Sequence, residues 1–336
     1  MKITGVSIII PTYNSGKILR HCISSIIKYV DNIKHEIIII DDASEDNSTF
    51  FLKKKKIKNL SLYVMKKNRG VGFCRNLGAK KSKYNNLIFV DADLIIKKNS
   101  IKELFYSFKD NLNVGSVGAI PNLKNLNKND FSSNLVFLRS VYGIYNLRKD
   151  SISSNIQSEF CLIKKNYLFS LGGWKSYEKS GGEEFELGYK IENSGKKNIL
   201  SYKAKYDTYY VDIFTRLKKM IRRTAIYLPI LIRKKSFDTE GSSATKSYAL
   251  SGILSSIFIL LILISIISGN EIFLNFSILT LIIQIFLERK FLLFVWKVKR
   301  LFVFFSILGL QILNLSMMFG FIVFFFRFLG RSFKNM

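Results

Sequence analysis

Four short, mostly apolar runs occupy the first ninety residues, Val6–Ile10, Glu36–Ile40, Leu60–Met65 and Leu87–Val90, and they limit the fold more than any other feature. Runs that do not alternate with polar residues suit strands covered on both faces, as in a parallel sheet. Stretches able to form helices lie between them, at about 16–29, 44–55 and 71–83. Strand, helix and strand in this rhythm predict an open α/β fold with a doubly wound, mostly parallel sheet. Each run is followed at once by polar residues: PTYN, DDAS, KKNRG and DAD. Ligands of such sheets bind beyond the carboxyl ends of the strands, so these four segments are predicted to share one rim.

The rim narrows the chemistry. No Gly-x-Gly-x-x-Gly follows the first strand, GVGFCRNLG carries Arg75 where a third glycine belongs, and no Gly-x4-Gly-Lys-Ser/Thr loop is present. A dinucleotide-dependent enzyme and a P-loop ATPase are thereby disfavoured. Cys22, Cys74 and Cys161 lack metal-ligand spacing and fit reduced thiols. With His21 and His35 the only histidines, a Ser-His-Asp triad or a multi-histidine zinc site is disfavoured too. The formal net charge of +28 fits a lysine-rich composition or a membrane surface. No nucleic-acid-binding motif accompanies it, and nucleic acid is not an expected partner. Asp91 and Asp93 end the fourth run with one small residue between them, and like charges so close call for a cation or a set of donors. Several carboxylates and at least one arginine suit a nucleotide whose diphosphate is held through Mg2+ or Mn2+.

Taken together, SIIIPTYN (7–14), EIIIIDDASEDNS (36–48), NRGVGFCRNLGA (68–79), FVDAD (89–93) and GGWKSYEKSGGEEFELGYKIENSG (172–195) resemble a family 2 glycosyltransferase with the GT-A nucleotide-sugar-binding fold. The resemblance covers roughly residues 5–205. It implies that Pro11, Thr12 and Tyr13 form the loop beneath the nucleotide base and that Asp41 or Asp42 contacts the base or ribose. It implies a place for Arg75 near the nucleotide, for Asp93 on the metal, and for Asp91 on the ribose or the metal. Glu184 occupies the place of the catalytic base, with Glu183 as the alternative, and Trp174, Gly182 and Glu183 fall on the acceptor side. An inverting transfer needs one carboxylate to take the acceptor hydroxyl's proton as its oxygen attacks the anomeric carbon. Many members carry a late histidine at the metal or phosphate site; KAKYDTYYVD (203–212) has none, so Asp207 or a tyrosine is the expected substitute. Read singly, each motif has a plainer explanation. Asp41-Asp42-Ala43-Ser44 suits a helix cap, Asp91 and Asp93 a solvated turn, and the acidic residues at 183–186 an exposed helix start.

Beyond residue 211 the pattern changes. On a helical projection Ile213, Phe214, Leu217, Met220, Ile221, Ala225 and Leu228 share one arc, opposite Arg216, Lys218, Lys219, Arg222 and Arg223. A basic amphipathic helix beside apolar spans predicts a segment, 211–246, lying in a membrane interface, with packing on the first domain as the plainer alternative. Three uncharged stretches follow: Tyr248–Ser268, Ile272–Leu287 and Leu301–Phe326. The first is long enough to span, the second is short, and the third carries Gln311 and Asn314. Gly269-Asn270-Glu271 holds no Lys or Arg, whereas 288–300 and the residues before the first stretch hold many, which puts the latter on the cytosolic side. Three spans leave Arg327, Arg331 and Lys334 outside, so a hairpin in the last stretch is the alternative.

The expected organisation is a GT-A domain over 1–210, the interfacial segment 211–246, and a transmembrane region over 247–336 of about three spans. The N-terminal apolar stretch is too short for a signal peptide, which leaves the first domain in the cytosol. The resemblance implies a metal-dependent, inverting glycosyltransferase in the cytoplasmic membrane. Its partners would be a nucleotide-sugar donor, membrane lipids and a lipid-linked or membrane-presented acceptor of envelope polysaccharide or glycolipid synthesis. Without a Gln-x-x-Arg-Trp motif, single-sugar transfer is expected over polymerisation. A metal-dependent nucleotidyl- or phosphotransferase would release different products, and a catalytically silent scaffold would release none.

Overall fold

The computed structural model describes residues 4–30, 32–54, 57–109, 113–127, 130–177, 181–234 and 246–334. The expectations for 1–3, for 235–245 of the basic segment and for 335–336 lie outside the described residues. The chain forms two compact units. One holds Met1–Leu126 and Asn146–Tyr209, the other Asn127–Tyr145 and Tyr210–Met336.

The first unit opens with β1 (Val6–Thr12), α1 (Ile18–Tyr29), β2 (His35–Asp41), α2 (Phe50–Lys54), β3 (Leu60–Val64), α3 (Val71–Lys81) and β4 (Asn86–Val90). β5 (Leu94–Ile96), α4 (Ser100–Lys109) and β6 (Val114–Asn125) follow. After α5 (Phe131–Tyr145) of the second unit come β7 (Ser151–Ser153), β8 (Phe160–Lys164), α6 (Lys165–Ser170), α7 (Glu183–Asn193) and β9 (Lys197–Thr208).

These strands make one sheet in the order β3-β2-β1-β4-β8-β6-β9-β5, with β7 paired to β9. β3, β2, β1 and β4 are parallel, and β8 enters antiparallel between β4 and β6. The strand order reverses at β1, which has β2 on one side and β4 on the other. A crevice for ligands opens at such a reversal, past the carboxyl ends. The isoleucine runs serve both faces. Ile8, Ile10, Ile37 and Ile39 join one buried cluster, while Ile9, Ile38 and Ile40 join the other. α3 lies tight on the sheet, since a Cβ at Gly78 would come 2.4 Å from Ile9 Cγ2.

α2 is shorter than the 44–55 helix expected. Asp41 Oδ1 accepts from Ser44 N, and Asp46 accepts from Gly16 N and Ser48 N, so 44–49 is drawn into loop contacts instead of a first helical turn.

In the second unit α8 (Ile213–Lys234), α9 (Lys246–Ser268), α10 (Glu271–Leu287), α11 (Arg289–Lys299), a 3-10 turn (Arg300–Phe302) and α12 (Val303–Lys334) join α5. Ala249–Ser268 and Arg289–Phe326 are long and apolar enough to cross a membrane; α10 is apolar but shorter. Ile213, Met220, Ala225 and Ile230 of α8 are buried, while Phe214 of the expected apolar arc is 71% exposed. α8 packs on α12 at close range, because a Cβ at Gly320 would meet the Ile221 carbonyl oxygen at 2.7 Å. Leu135, Val136, Phe137, Leu138 and Val141 of α5 share a buried cluster with Met220, Phe291, Phe294, Val295, Leu310 and Leu313. Between α9, α10 and α12 the buried amides of Gln284 and Asn314 both donate to Ser251 Oγ and Ser255 Oγ, and Gln311 Nε2 donates to Gln284 Oε1 at 2.6 Å.

Candidate active site

The loops after β1 and β2 are joined to each other. Pro11 and Thr12 remain in β1, paired with Ile40 and Asp41. Thr12 Oγ1 shares a hydrogen bond with Ser15 Oγ at 2.7 Å, and Tyr13 stands 48% exposed. Asn14 takes a positive φ of 48°; its N–H donates to Ser44 Oγ, and its Oδ1 accepts from Glu45 N. This leaves a tyrosine ring on a loop held from below.

Asp41 and Asp42 are both buried, Asp41 serving a backbone and a hydroxyl donor and Asp42 two backbone donors. Asp41 Oδ2 accepts from Thr49 Oγ1 at 2.6 Å, in addition to Ser44 N. Asp42 accepts from Arg69 N at 2.7 Å and Gly70 N at 2.8 Å, which fixes the turn into α3. Gly70 has φ 86°, and a Cβ at Gly72 would come 2.2 Å from the Lys175 carbonyl oxygen. The glycines of GVGFCRNLG therefore let α3 fit between the sheet and the 172–176 segment.

Arg75 of α3 is 1% exposed. Its Nη2 donates to Asp91 Oδ1 at 2.7 Å and its Nη1 to Glu183 Oε1 at 2.9 Å, while the guanidinium lies 4.8 Å from the Trp174 ring centre. Burial works against the charge of Arg75, but the carboxylates of Asp91 and Glu183 outweigh it and raise its pKa above the ordinary arginine value. Nε has no partner. A cation does sit beside Asp91, and it is a guanidinium.

Asp91 follows β4, and its N–H donates to the Glu159 carbonyl oxygen at 2.8 Å. Burial pushes its carboxyl up to about 6; Arg75 opposes the shift, and the charges of Glu159 and Glu183 add to it. Asp93, two residues on, is half-buried. Among the described residues no three His, Cys, Asp or Glu side chains form a group able to hold a metal. Asp91 and Asp93 still fit a divalent ion that completes its shell with phosphate oxygens and water, as Mg2+ commonly does. The negative charges of Glu159 and Glu183 acting on Asp91 are what such an ion would offset.

At the start of α7, Gly181 and Gly182 have φ of 117° and 102°. Their N–H groups donate to Glu183 Oε2 and Glu184 Oε2, both at 3.0 Å. Glu183 is thus held by Arg75 and a backbone donor, and Glu184 follows it on the first turn. Trp174 is 2% exposed and packs edge-on to Phe89 at 5.3 Å between centroids, so its ring is a buried wall rather than a presented surface.

Asp207 is buried, accepts from Asn122 Nδ2 at 2.8 Å and pairs with Lys97. It is already engaged where a late histidine was absent. Three participants were not singled out from the sequence: Glu159, whose carboxylate accepts from Tyr206 Oη at 2.6 Å, Asn76, which binds the Trp174 backbone, and Lys97. Each is a single polar residue whose partner lies 47 to 110 positions away, beyond the reach of a motif.

Residues 7–169 match the family model described as Glycosyl transferase family 2. Among curated proteins, the chain is 28% identical over 244 residues to the poly(ribitol-phosphate) beta-N-acetylglucosaminyltransferase TarP of Staphylococcus aureus (strain N315), covering 66% of this chain and 73% of that one. It is 25% identical over 212 residues to the poly-beta-1,6-N-acetyl-D-glucosamine synthase of Staphylococcus aureus (strain COL), covering 61% of this chain. The chain spans about half, 48%, of that synthase. Among solved structures, the mannosyltransferase PcManGT from Pyrobaculum calidifontis in complex with GDP-Man and Mn2+ superposes with a TM-score of 0.59 at 15% identity, covering 95% of this chain and 86% of that one. GalNAc-T7 with UDP, GalNAc and Mn2+ gives a TM-score of 0.50 at 18% identity over 61% of this chain and 43% of that one. At these identities the solved structures establish the fold.

Proposed function

Residues 7–169 make this chain a glycosyltransferase of family 2 with a GT-A fold, and from that premise we propose that it transfers a sugar from a nucleotide-sugar donor to a membrane-presented acceptor. The observation that carries the reading is that Asp91 and Glu183, ninety-two positions apart, meet on one guanidinium. The loop of a metal-binding Asp-x-Asp pair and the first turn of a helix bearing a base thereby belong to one site.

Pro11, Thr12 and Tyr13 provide a floor for the nucleotide base. Asp41 and Asp42 shape that subsite through the loops they hold. Asp91 and Asp93 would hold Mg2+ or Mn2+, which would supply Lewis-acid stabilisation of the departing nucleoside diphosphate. Glu184 takes the proton of the acceptor hydroxyl as its oxygen attacks the anomeric carbon opposite the leaving group, and the configuration inverts. Glu183, fixed by Arg75 and Gly181 N, positions that turn, and Gly182 lines the acceptor side.

The apolar helices of the second unit support residence in a membrane. The basic residues of α8 and α11 flank the apolar stretches and favour the cytosolic face for the connections bearing them. Nucleotide sugars made in the cytosol would then meet an acceptor carried by lipid. The relatives, one a poly(ribitol-phosphate) beta-N-acetylglucosaminyltransferase and one a poly-beta-1,6-N-acetyl-D-glucosamine synthase, support a role in envelope polysaccharide or glycolipid synthesis.

The test is nucleoside-diphosphate release by purified, lipid-reconstituted protein from UDP-, GDP- and dTDP-sugars, with and without Mn2+ or Mg2+ and with a membrane-lipid extract. Metal-dependent release from one donor class, lost in Asp93→Asn, is expected. Pyrophosphate release instead would identify a nucleotidyltransferase, and silence from a folded protein with extract present would reject the reading.

A further inference from the structure

We propose that Arg75 is a positioning residue that couples the donor end of the site to its acceptor end without touching the nucleotide sugar. The inference rests on the function proposed above and assigns this residue a different place from the nucleotide contact that motif resemblance implies.

Three observations carry it. At 1% exposure, with its face 4.8 Å from the Trp174 ring centre, the guanidinium is enclosed by protein, and both of its terminal nitrogens are engaged. Its two terminal nitrogens are divided between carboxylates on different elements, Asp91 after β4 and Glu183 at the start of α7. Glu183 is held on its second oxygen by Gly181 N, so movement of Asp91 passes through Arg75 to the turn that also carries Glu184.

The residue type matters. A planar guanidinium fixes two acceptors at a set separation and direction, whereas an ammonium on a flexible stem attracts both without fixing either. Asn76, the next residue of α3, binds both the N–H and the carbonyl of Trp174, so the wall over the guanidinium is fastened to the same helix. With a donor bound, Asp91 would be held in place, and the guanidinium paired to it would hold the α7 turn at the distance a base must keep from the acceptor. Filling the donor subsite and readying the base then become one event.

The test compares full-length wild type, Arg75→Lys, Glu183→Gln and the double variant, all reconstituted in the same lipid. The readouts are transfer kcat, donor KM, and the affinity for nucleoside diphosphate with Mn2+ measured by titration calorimetry. Each single variant is expected to lower kcat on the order of tenfold to a hundredfold, because a small misplacement of a catalytic group costs that much. Nucleoside-diphosphate affinity is expected to stay within about threefold, and the double variant to lose no more than Arg75→Lys alone, as for residues acting as one unit. A fall in nucleotide affinity with Arg75→Lys that Glu183→Gln does not share would show direct contact and overturn the proposal. Losses that multiply in the double variant would overturn it as well. Should Arg75→Lys fail to fold, Glu183→Gln decides alone: reduced kcat with intact nucleotide affinity and a retained acid limb of the pH–rate profile supports the coupling, and unchanged kcat or a lost acid limb refutes it. A wild-type protein that releases nucleoside diphosphate from no donor overturns the function and the coupling together, whereas the outcomes above, in a protein that transfers, bear on Arg75 only.

Discussion

Asn76 and Trp174 clasp each other through a complete amide pair: Asn76 Nδ2 donates to the Trp174 carbonyl oxygen at 2.7 Å, and the Trp174 N–H donates to Asn76 Oδ1 at 2.9 Å. One side chain of α3 thus substitutes for a strand in holding the backbone of a loop 98 positions away. Asn76→Ala removes both bonds and leaves a donor and an acceptor of the Trp174 backbone unmet. A loss of about 2 kcal/mol is expected from two net hydrogen bonds, read as a lower midpoint in thermal unfolding of the detergent-solubilised protein.

The two ends of the site separate by mutation. Glu184→Gln should reduce sugar transfer by at least about a hundredfold, the scale of general-base removal, while Mn2+-dependent nucleotide binding persists. Asp93→Asn should weaken that binding itself. Calorimetry with nucleoside diphosphate and Mn2+, run beside a transfer assay, checks both; transfer surviving in Glu184→Gln would transfer the base assignment elsewhere.

Two glycines make contrasting predictions. A Cβ at Gly72 would lie 2.2 Å from the Lys175 carbonyl oxygen, and backbone cannot move aside cheaply. Gly72→Ala is therefore expected to cost about 3 kcal/mol, the upper range for overpacking. Gly195 has φ +78° with nothing among the described residues within 4 Å of its Cβ position, so Gly195→Ala is expected to meet backbone strain alone, about 1 kcal/mol. Expression and melting temperature of the pair separate crowding from strain.

All three cysteines are buried, and burial raises each thiol, Cys161 to about 12. The nucleophilic thiolate is thus scarce at pH 8, and iodoacetamide should label none of them in the native protein. Mass spectrometry with and without denaturant checks this. Rapid native labelling of Cys74, in α3, would show that the helix opens far more readily than its packing implies.

Gln284→Leu should destabilise the helical unit, since the change deprives Gln311 Nε2 of its acceptor at 2.6 Å and removes the donor to Ser255 Oγ at 2.6 Å. Hydrogen bonds inside apolar bundles contribute modestly, so a loss of about 1 kcal/mol is expected. Ile282→Leu on the 57% exposed face of α10 serves as the neutral control in thermal aggregation assays.

The sheet was legible because Ile8 to Ile10 and Ile37 to Ile40 need cover on both faces, whatever the later chain does. Strand ends were read short: β1 runs on to Thr12 and β2 includes Asp41, since pairing continues through residues whose side chains face the rim. β6 and β9, twelve residues each, gave no signal, because their partners are some eighty positions apart and register is set by tertiary contact. The rim residues were readable as types. That Arg75 would spend its charge on Asp91 and Glu183 was not, because a motif records composition at one place and a salt bridge joins two.

The membership of α5 has a practical corollary. The chain leaves its first unit at Leu126, contributes Asn127–Tyr145 to the second, and returns at Asn146 before crossing again at Tyr210. The catalytic half is consequently not a portable cassette. A fragment ending at Tyr209 would still carry Leu135, Phe137, Leu138 and Val141, stripped of the Phe291, Phe294 and Leu310 that cover them. No single cut in the chain separates the two units.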